Sequence, residues 1–232
     1  MQWNLLIKMS PKKEINKTRS QKKNLAELEV SEKYNYVNPP EQLINKLIKL
    51  YNQGKFSFVV DRANVVIRKY PNAIIVWNIL GASAAQIGML EEAANAFNKS
   101  LEIKPDAETF NNLGNVLSDQ NNTDKAIEVY KKALMLKPNF ANAYYNLGSL
   151  LAKQDKFDQA IKAYKKSILI NPDYAEAYCN LGLAYKNIGE FNKAIEASKK
   201  SISIKSNIPL TYNNMGIILQ DLGKFEEAIQ FY

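Results

Sequence analysis

Residues 141–174 read ANAYYNLGSLLAKQDKFDQAIKAYKKSILINPDY, and from Ala175 the same sentence returns as AEAYCNLGLAYKNIGEFNKAIEASKKSISIKSNI. It is already present from Ala107. The interval from Gly114 to Gly148 is repeated from Gly148 to Gly182 and again from Gly182 to Gly216. Self-similarity at a period in this range specifies an array of stacked units, each too small to bury its apolar face alone. A length of 232 residues would otherwise allow one or two ordinary domains, and the repeat makes that count meaningless.

Within one unit, Tyr144, Leu147, Gly148 and Leu151 fall at i, i+3, i+4 and i+7, one face of a helix. A second helical face follows with Phe157, Ala160, Ile161, Tyr164 and Ile168. Asp155 lies between them, and its equivalents are Gly54, Gly88, Asn121, Gly189 and Gly223. Gly, Asn and Asp all tolerate the left-handed conformation that ends a helix. Pro71, Pro105, Pro138 and Pro172 stop the second helices. The residues that follow, Asn72, Asp106, Asn139 and Asp173, are expected to cap the next helix. Gly81, Gly114, Gly148, Gly182 and Gly216 recur inside the first helices. A glycine there costs about 1 kcal/mol relative to alanine, so the recurrence requires a packing reason.

The order aromatic, Leu-Gly, Ala, aromatic, Pro, here Tyr144, Leu147, Gly148, Ala160, Tyr164 and Pro172, resembles the tetratricopeptide repeat. The resemblance implies an all-α fold, a right-handed superhelical solenoid of antiparallel helix pairs with the first helices lining a concave groove. Expected units are 40–73, 74–106, 107–140, 141–174, 175–208 and a truncated 209–232. The first departs from the pattern, with Lys46-Leu47 where others have Leu-Gly, as end units do. The fifth has Ser198 for the aromatic and Ser206 for the proline. The run Ala228, Ile229, Phe231, Tyr232 is apolar where a solenoid needs a polar cap, so a larger protein is expected.

Residues 1–39 are different in kind. Eight Lys and Arg face four Glu there, so this arm carries +4 of a net charge of +8. It has no sustained periodicity and is expected to be a disordered tail. Its Lys8–Lys23 stretch could tether nucleic acid or an anionic membrane, although Trp3 is the only aromatic before Tyr34. Met9, followed by Ser-Pro-Lys-Lys, is an alternative start. No apolar run reaches the roughly 18 residues needed to span a membrane. A single cysteine fits a reducing, cytoplasmic compartment. The absence of histidine removes the commonest general base and metal ligand. With no phosphate loop or catalytic signature, no active site, metal or cofactor is expected. Cys179 has no cationic neighbour to stabilise a thiolate and is expected to be structural.

Two further periodic features stand out. Lys131-Lys132, Lys165-Lys166 and Lys199-Lys200 lie in the later half of the second helices, where cations complement the helix dipole. Acidic Glu91, Asp124, Asp158 and Glu226 open such helices, so a solvated face accounts for the lysines better than a nucleic-acid stripe. Asn112, Asn146, Asn180 and Asn214 occupy one position of the first helices, with Asn78, Asn111 and Asn213 one residue earlier. These, with Asn115, are candidates for a groove that binds protein or extended peptide. The alternative is that they bridge neighbouring units. The carboxylate clamp of some family members needs basic residues where this chain has Asn142, Asn146, Glu176 and Asn180, so it is absent. An asparagine row is similar to the repeat region of O-linked N-acetylglucosamine transferases. The opening unit resembles bacterial repeat proteins fused to such transferases or to sulfotransferases, which implies a recruiting region upstream of a catalytic domain.

Overall fold

The computed structural model of the protein describes residues 38–232. The expected arm, apart from Asn38 and Pro39, lies outside the described residues. These form twelve α-helices in pairs and contain no strand. They fall into two compact units, divided in the chain between Pro105 and Asp106. The first contains α1 (Glu41–Asn52), α2 (Phe56–Lys69), α3 (Ile74–Gln86) and α4 (Leu90–Ile103). The second contains α5 (Ala107–Asp119), α6 (Thr123–Leu136), α7 (Ala141–Lys153) and α8 (Phe157–Ile170). It continues with α9 (Ala175–Asn187), α10 (Phe191–Ile204), α11 (Pro209–Asp221) and α12 (Phe225–Ile229).

The turn inside every pair is built alike. Gly54, Gly88, Gly189 and Gly223 have φ of +71 to +78°, and Asn121 and Asp155 have +58° and +57°. The next residue closes each first helix by donating its N–H to a carbonyl of the last helical turns. Asn122 N–H to Leu117 O (2.8 Å) and Lys156 N–H to Leu151 O (2.9 Å) are examples. This satisfies carbonyls that the helix end leaves orphaned.

The second helices end shortly before a proline or its equivalent. Tyr70, Lys104, Lys137 and Asn171, each preceding a proline, have φ from −127 to −153°. A following proline enforces such extended backbone. Lys205 adopts the same conformation before Ser206, so the register survives loss of the proline.

The expected caps hold at one site only. Asp106 caps α5, accepting from Thr109 N–H at 2.8 Å. For α3, α7 and α9 the capping position is Ala73, Phe140 or Tyr174, the residue after Asn72, Asn139 and Asp173. The interval from Gly81 to Gly114 is shorter by a single position than the later glycine intervals, and that deletion is what brings Asp106 into the cap.

The helical glycines have the packing reason their cost requires. A methyl group on Gly81 would meet the Phe97 ring at 2.9 Å, on Gly114 the Tyr130 ring at 2.5 Å, and on Gly148 the Tyr164 ring at 2.8 Å. Each ring belongs to the second helix of the same pair and is buried to 2% exposure or less. Burying such a side chain stabilises by about 1.5–3 kcal/mol.

The first and fifth repeats solve the contact differently. In the first, Leu47 and Ala63 hold these two positions, both fully buried, so the large residue sits on the first helix and the small one on the second. In the fifth, Gly182 faces Ser198, and the Ala194 carbonyl lies 3.1 Å from where a Cβ would be, so the two backbones approach more closely. Around these contacts the second unit buries Leu147, Leu151, Ile161, Leu181, Tyr185 and Ile218 in one core. Ala228, expected to be uncovered, is buried with Met215 and Leu219, and the Tyr232 ring lies over Gly216. Ile229 and Tyr232 are exposed.

Candidate functional site

In the middle of α7, α9 and α11 the asparagine position holds Asn146, Asn180 and Asn214, on the side turned toward the preceding repeat. The amides of Asn146 and Asn180 each reach back to two side chains one helical turn apart, and that of Asn214 reaches one. Asn146 Nδ2 donates to Asn111 Oδ1 at 3.1 Å and to Asn115 Oδ1 at 2.9 Å. Asn180 Nδ2 donates to the Tyr145 hydroxyl at 3.2 Å and to Ser149 Oγ at 3.5 Å. Asn214 Nδ2 donates to Cys179 Sγ at 3.6 Å. Residues i and i+4 of one helix, such as Asn111 and Asn115, face the same way, which lets one amide meet both.

The second helices anchor the same network. Tyr130 donates its hydroxyl to Asn115 Oδ1 at 2.6 Å, and Tyr164 donates to Ser149 Oγ at 3.4 Å. Tyr130 and Tyr164, which pack on helical glycines, thus also fix side chains that the asparagine row meets. Burial raises the Tyr164 phenol to about 12 and pushes the Tyr130 phenol up as well. Both are donors throughout the physiological range.

Access along the row is uneven. Asn78, Asn112, Asn115, Asn146 and Asn180 are half-buried, and Asn213 is exposed. Asn111 and Asn214 are buried, at 7% and 3% exposure. No group among the described residues donates to Oδ1 of Asn146 or Asn180. Beside them the Tyr145 ring packs against Tyr174, tilted by 33° with centroids 4.9 Å apart. Glu176 pairs with Lys205 at 2.9 Å. Burial disfavours the Glu176 charge, but the Lys205 hydrogen bond outweighs it and holds the carboxyl below its usual range. The surface is polar and aromatic, with the Glu176 carboxylate paired to Lys205 and Asp119 lying close to the Tyr130 phenol.

Cys179 is buried, and burial pushes its thiol up, which leaves it protonated and unreactive. Among the described residues no cluster of three metal-ligating side chains occurs. No described helix is long and apolar enough to cross a membrane. Two open grooves escaped the sequence reading. One, of about 630 Å³, lies between α2, α3 and α4 near Trp77 and Glu92. The other, of about 500 Å³, lies between α1 and α2, flanked by exposed Phe58 and Val65.

Comparison with known proteins agrees with this architecture. TPR repeat and tetratricopeptide repeat family models match residues 74–106, 114–155, 148–189, 175–208 and 210–232. The chain is similar to the crystal structure of MamA, with 37% identity, a TM-score of 0.61, and coverage of 66% of this chain and 90% of that one. It also superposes on YrrB, described as a TPR protein with an unusual peptide-binding site. That identity is 22%, the TM-score 0.62, and coverage 79% of this chain and 94% of the other. Over 78 residues, 34% of this chain, it is 33% identical to the peroxisomal targeting signal receptor of Candida glabrata, a match that takes in 13% of the receptor. Twelve paired helices, left-handed turns at one fixed place and glycine–aromatic contacts at another all repeat with the period those models describe: the chain belongs to the tetratricopeptide repeat family.

Proposed function

We propose that the first helices of the second unit hold an extended polypeptide by its backbone. One observation carries the reading. The N–H groups of Asn146 and Asn180 are engaged by the preceding repeat, which orients both carbonyl oxygens as fixed acceptors that no described residue donates to. A peptide backbone presents an N–H at every residue but proline, whatever its side chains, so a row of acceptors recognises chain rather than sequence. Partial exposure of Asn112, Asn146 and Asn180 leaves room for such contacts, and exposed Asn213 extends the row. The bridging and ligand roles of the asparagines are then one device, in which the bridge fixes the rotamer that the ligand meets. Asn111, Asn115 and Asn214 support the row from within it, and Asn78 holds the neighbouring position in the first unit.

Specificity is loose, because nothing here concentrates charge. The peptide-binding TPR protein YrrB and the targeting signal receptor indicate the kind of ligand such an array serves. On a longer chain the same groove would recruit polypeptide to a catalytic domain, a glycosyltransferase or sulfotransferase among them. Each hydrogen bond contributes about 0.5–1.5 kcal/mol net, so several must act together. Titration calorimetry of unstructured peptides against Asn146→Ala/Asn180→Ala tests the reading. A loss of about tenfold or more is expected at about 1 kcal/mol per site, with the fold retained. Unchanged binding by a folded double variant removes the row as the ligand site.

A further inference from the structure

We propose that the solvent-facing sides of α6, α8 and α10 form a docking surface for a membrane of anionic lipid. The starting point is a failure of the dipole account of the lysine pairs. Dipole stabilisation falls off within the last helical turn. No basic residue occupies the last turn of α6, α8 or α10. The pairs sit one turn earlier, so the helix ends do not explain them.

What surrounds them points elsewhere. On α8, Lys162, Lys165, Lys166 and Leu169 fall at i, i+3, i+4 and i+7, within about 100° of arc. The same positions of α6 keep the lysine pair, with Glu128 and Met135 at the ends, and those of α10 keep it with Glu196 and Ser203. All twelve side chains are exposed. Seven lysines face two glutamates, a balance of +5, and Lys132 with Glu128 at 2.8 Å is the one ion pair formed within this set. Met135 and Leu169 are 81% and 74% exposed, at one register in successive repeats and flanked by lysines. The repeat itself does not require this face. Its equivalent on α4 in the first unit is Asn95, Asn98, Lys99 and Glu102, with Lys99 paired to Glu102 at 2.7 Å.

Lysine ammoniums beside protruding aliphatic side chains are the chemistry of a lipid interface. The ammoniums reach phosphate headgroups while their stems and the aliphatic tips enter the acyl boundary. Lysines also meet nucleic-acid phosphates, but the protruding Met135 and Leu169 have no role on a polyanion, and this face has no arginine fork or aromatic to stack on a base.

The test is co-sedimentation of the full chain with phosphatidylcholine vesicles, with and without phosphatidylglycerol, and fluorescence anisotropy with a short DNA duplex. Binding is expected on phosphatidylglycerol vesicles alone, and it should weaken as salt rises. Lys165→Gln/Lys166→Gln should lose about thirty-fold, at about fivefold per lysine. Met135→Ser/Leu169→Ser should lose about fivefold or more on vesicles at unchanged charge, and nothing on DNA. Residues 1–39 are common to every variant, so these differences report on the helices alone. Circular dichroism confirms that the exposed substitutions leave the fold intact. Equal binding to neutral vesicles, lysine variants that bind as the parent does, or an unaffected Met135/Leu169 variant would each overturn the proposal. The last result, together with tight DNA binding, would assign the face to a polyanion instead.

Discussion

Replacing Gly114 with alanine sets helix propensity directly against packing. The added methyl would lie 2.5 Å from Tyr130 Cε1 and 2.7 Å from Cδ1. The ring cannot swing aside easily, because it is 2% exposed and its hydroxyl is held by Asn115 at 2.6 Å. Overpacking at this closeness costs about 3 kcal/mol, and the gain in helix propensity returns about 1 kcal/mol. The net loss is about 2 kcal/mol, or a fall in Tm of about 4–8 °C for a chain of this size. Tyr130→Ala removes the obstacle and itself costs about 3–5 kcal/mol. In that background Gly114→Ala should become stabilising by about 1 kcal/mol, so the cycle should give a coupling near ~3 kcal/mol. Urea unfolding followed by circular dichroism measures the four stabilities. Amide exchange in α5 and α6 shows whether the loss is local to that pair, as expected when repeats contact only their neighbours. A Gly114→Ala cost that is the same with and without Tyr130 would refute the packing explanation of the recurring glycines.

Other substitutions probe separate parts of the account. Ser198→Tyr restores the aromatic found in other repeats, yet it should destabilise by about 1–3 kcal/mol, because α9 and α10 have already closed onto Gly182; a raised Tm would contradict this. Asp155→Gly should be neutral or slightly stabilising and Asp155→Ala should cost about 1 kcal/mol, since φ is +57° there; thermal unfolding distinguishes them. Asp106→Ala should cost about 1 kcal/mol at neutral pH. Burial opposes the Asp106 charge, but the Thr109 and Glu108 hydrogen bonds prevail and hold its carboxyl below the usual range. A depressed folded-state value means stability that is present above the unfolded value and lost as pH falls through the folded one. The parent and variant stabilities should therefore converge as pH drops below about 4, and a difference that persists in acid would count against the cap.

What could be read from residue types came through, and what needed three-dimensional register did not. The six left-handed turn positions were legible because Gly, Asn and Asp are the residues that tolerate positive φ. The glycines announced a close contact, but the ring that fills it lies across a turn on the next helix, and nothing local identifies it. The caps at Asn72, Asn139 and Asp173 failed by a single position, since capping propensity does not fix which residue of the loop meets the helix. Likewise, the lysine pairs look C-terminal in sequence but stop short of the last turn. The asparagine row was visible as a periodicity. That its amides turn back onto Asn111, Asn115, Tyr145 and Ser149 depends on how one repeat leans on the next.

The central claim is that fixed asparagine carbonyls accept hydrogen bonds from the backbone of an extended peptide. Titration calorimetry of one peptide against its copy with alternate backbone nitrogens methylated tests this most directly, because methylation removes N–H donors and leaves every side chain in place. The account predicts that the methylated copy binds about tenfold more weakly or worse, from the loss of two hydrogen bonds at about 0.5–1.5 kcal/mol each. It also predicts that Asn146→Ala/Asn180→Ala no longer discriminates between the two peptides. Equal affinity of the parent protein for both peptides would contradict it.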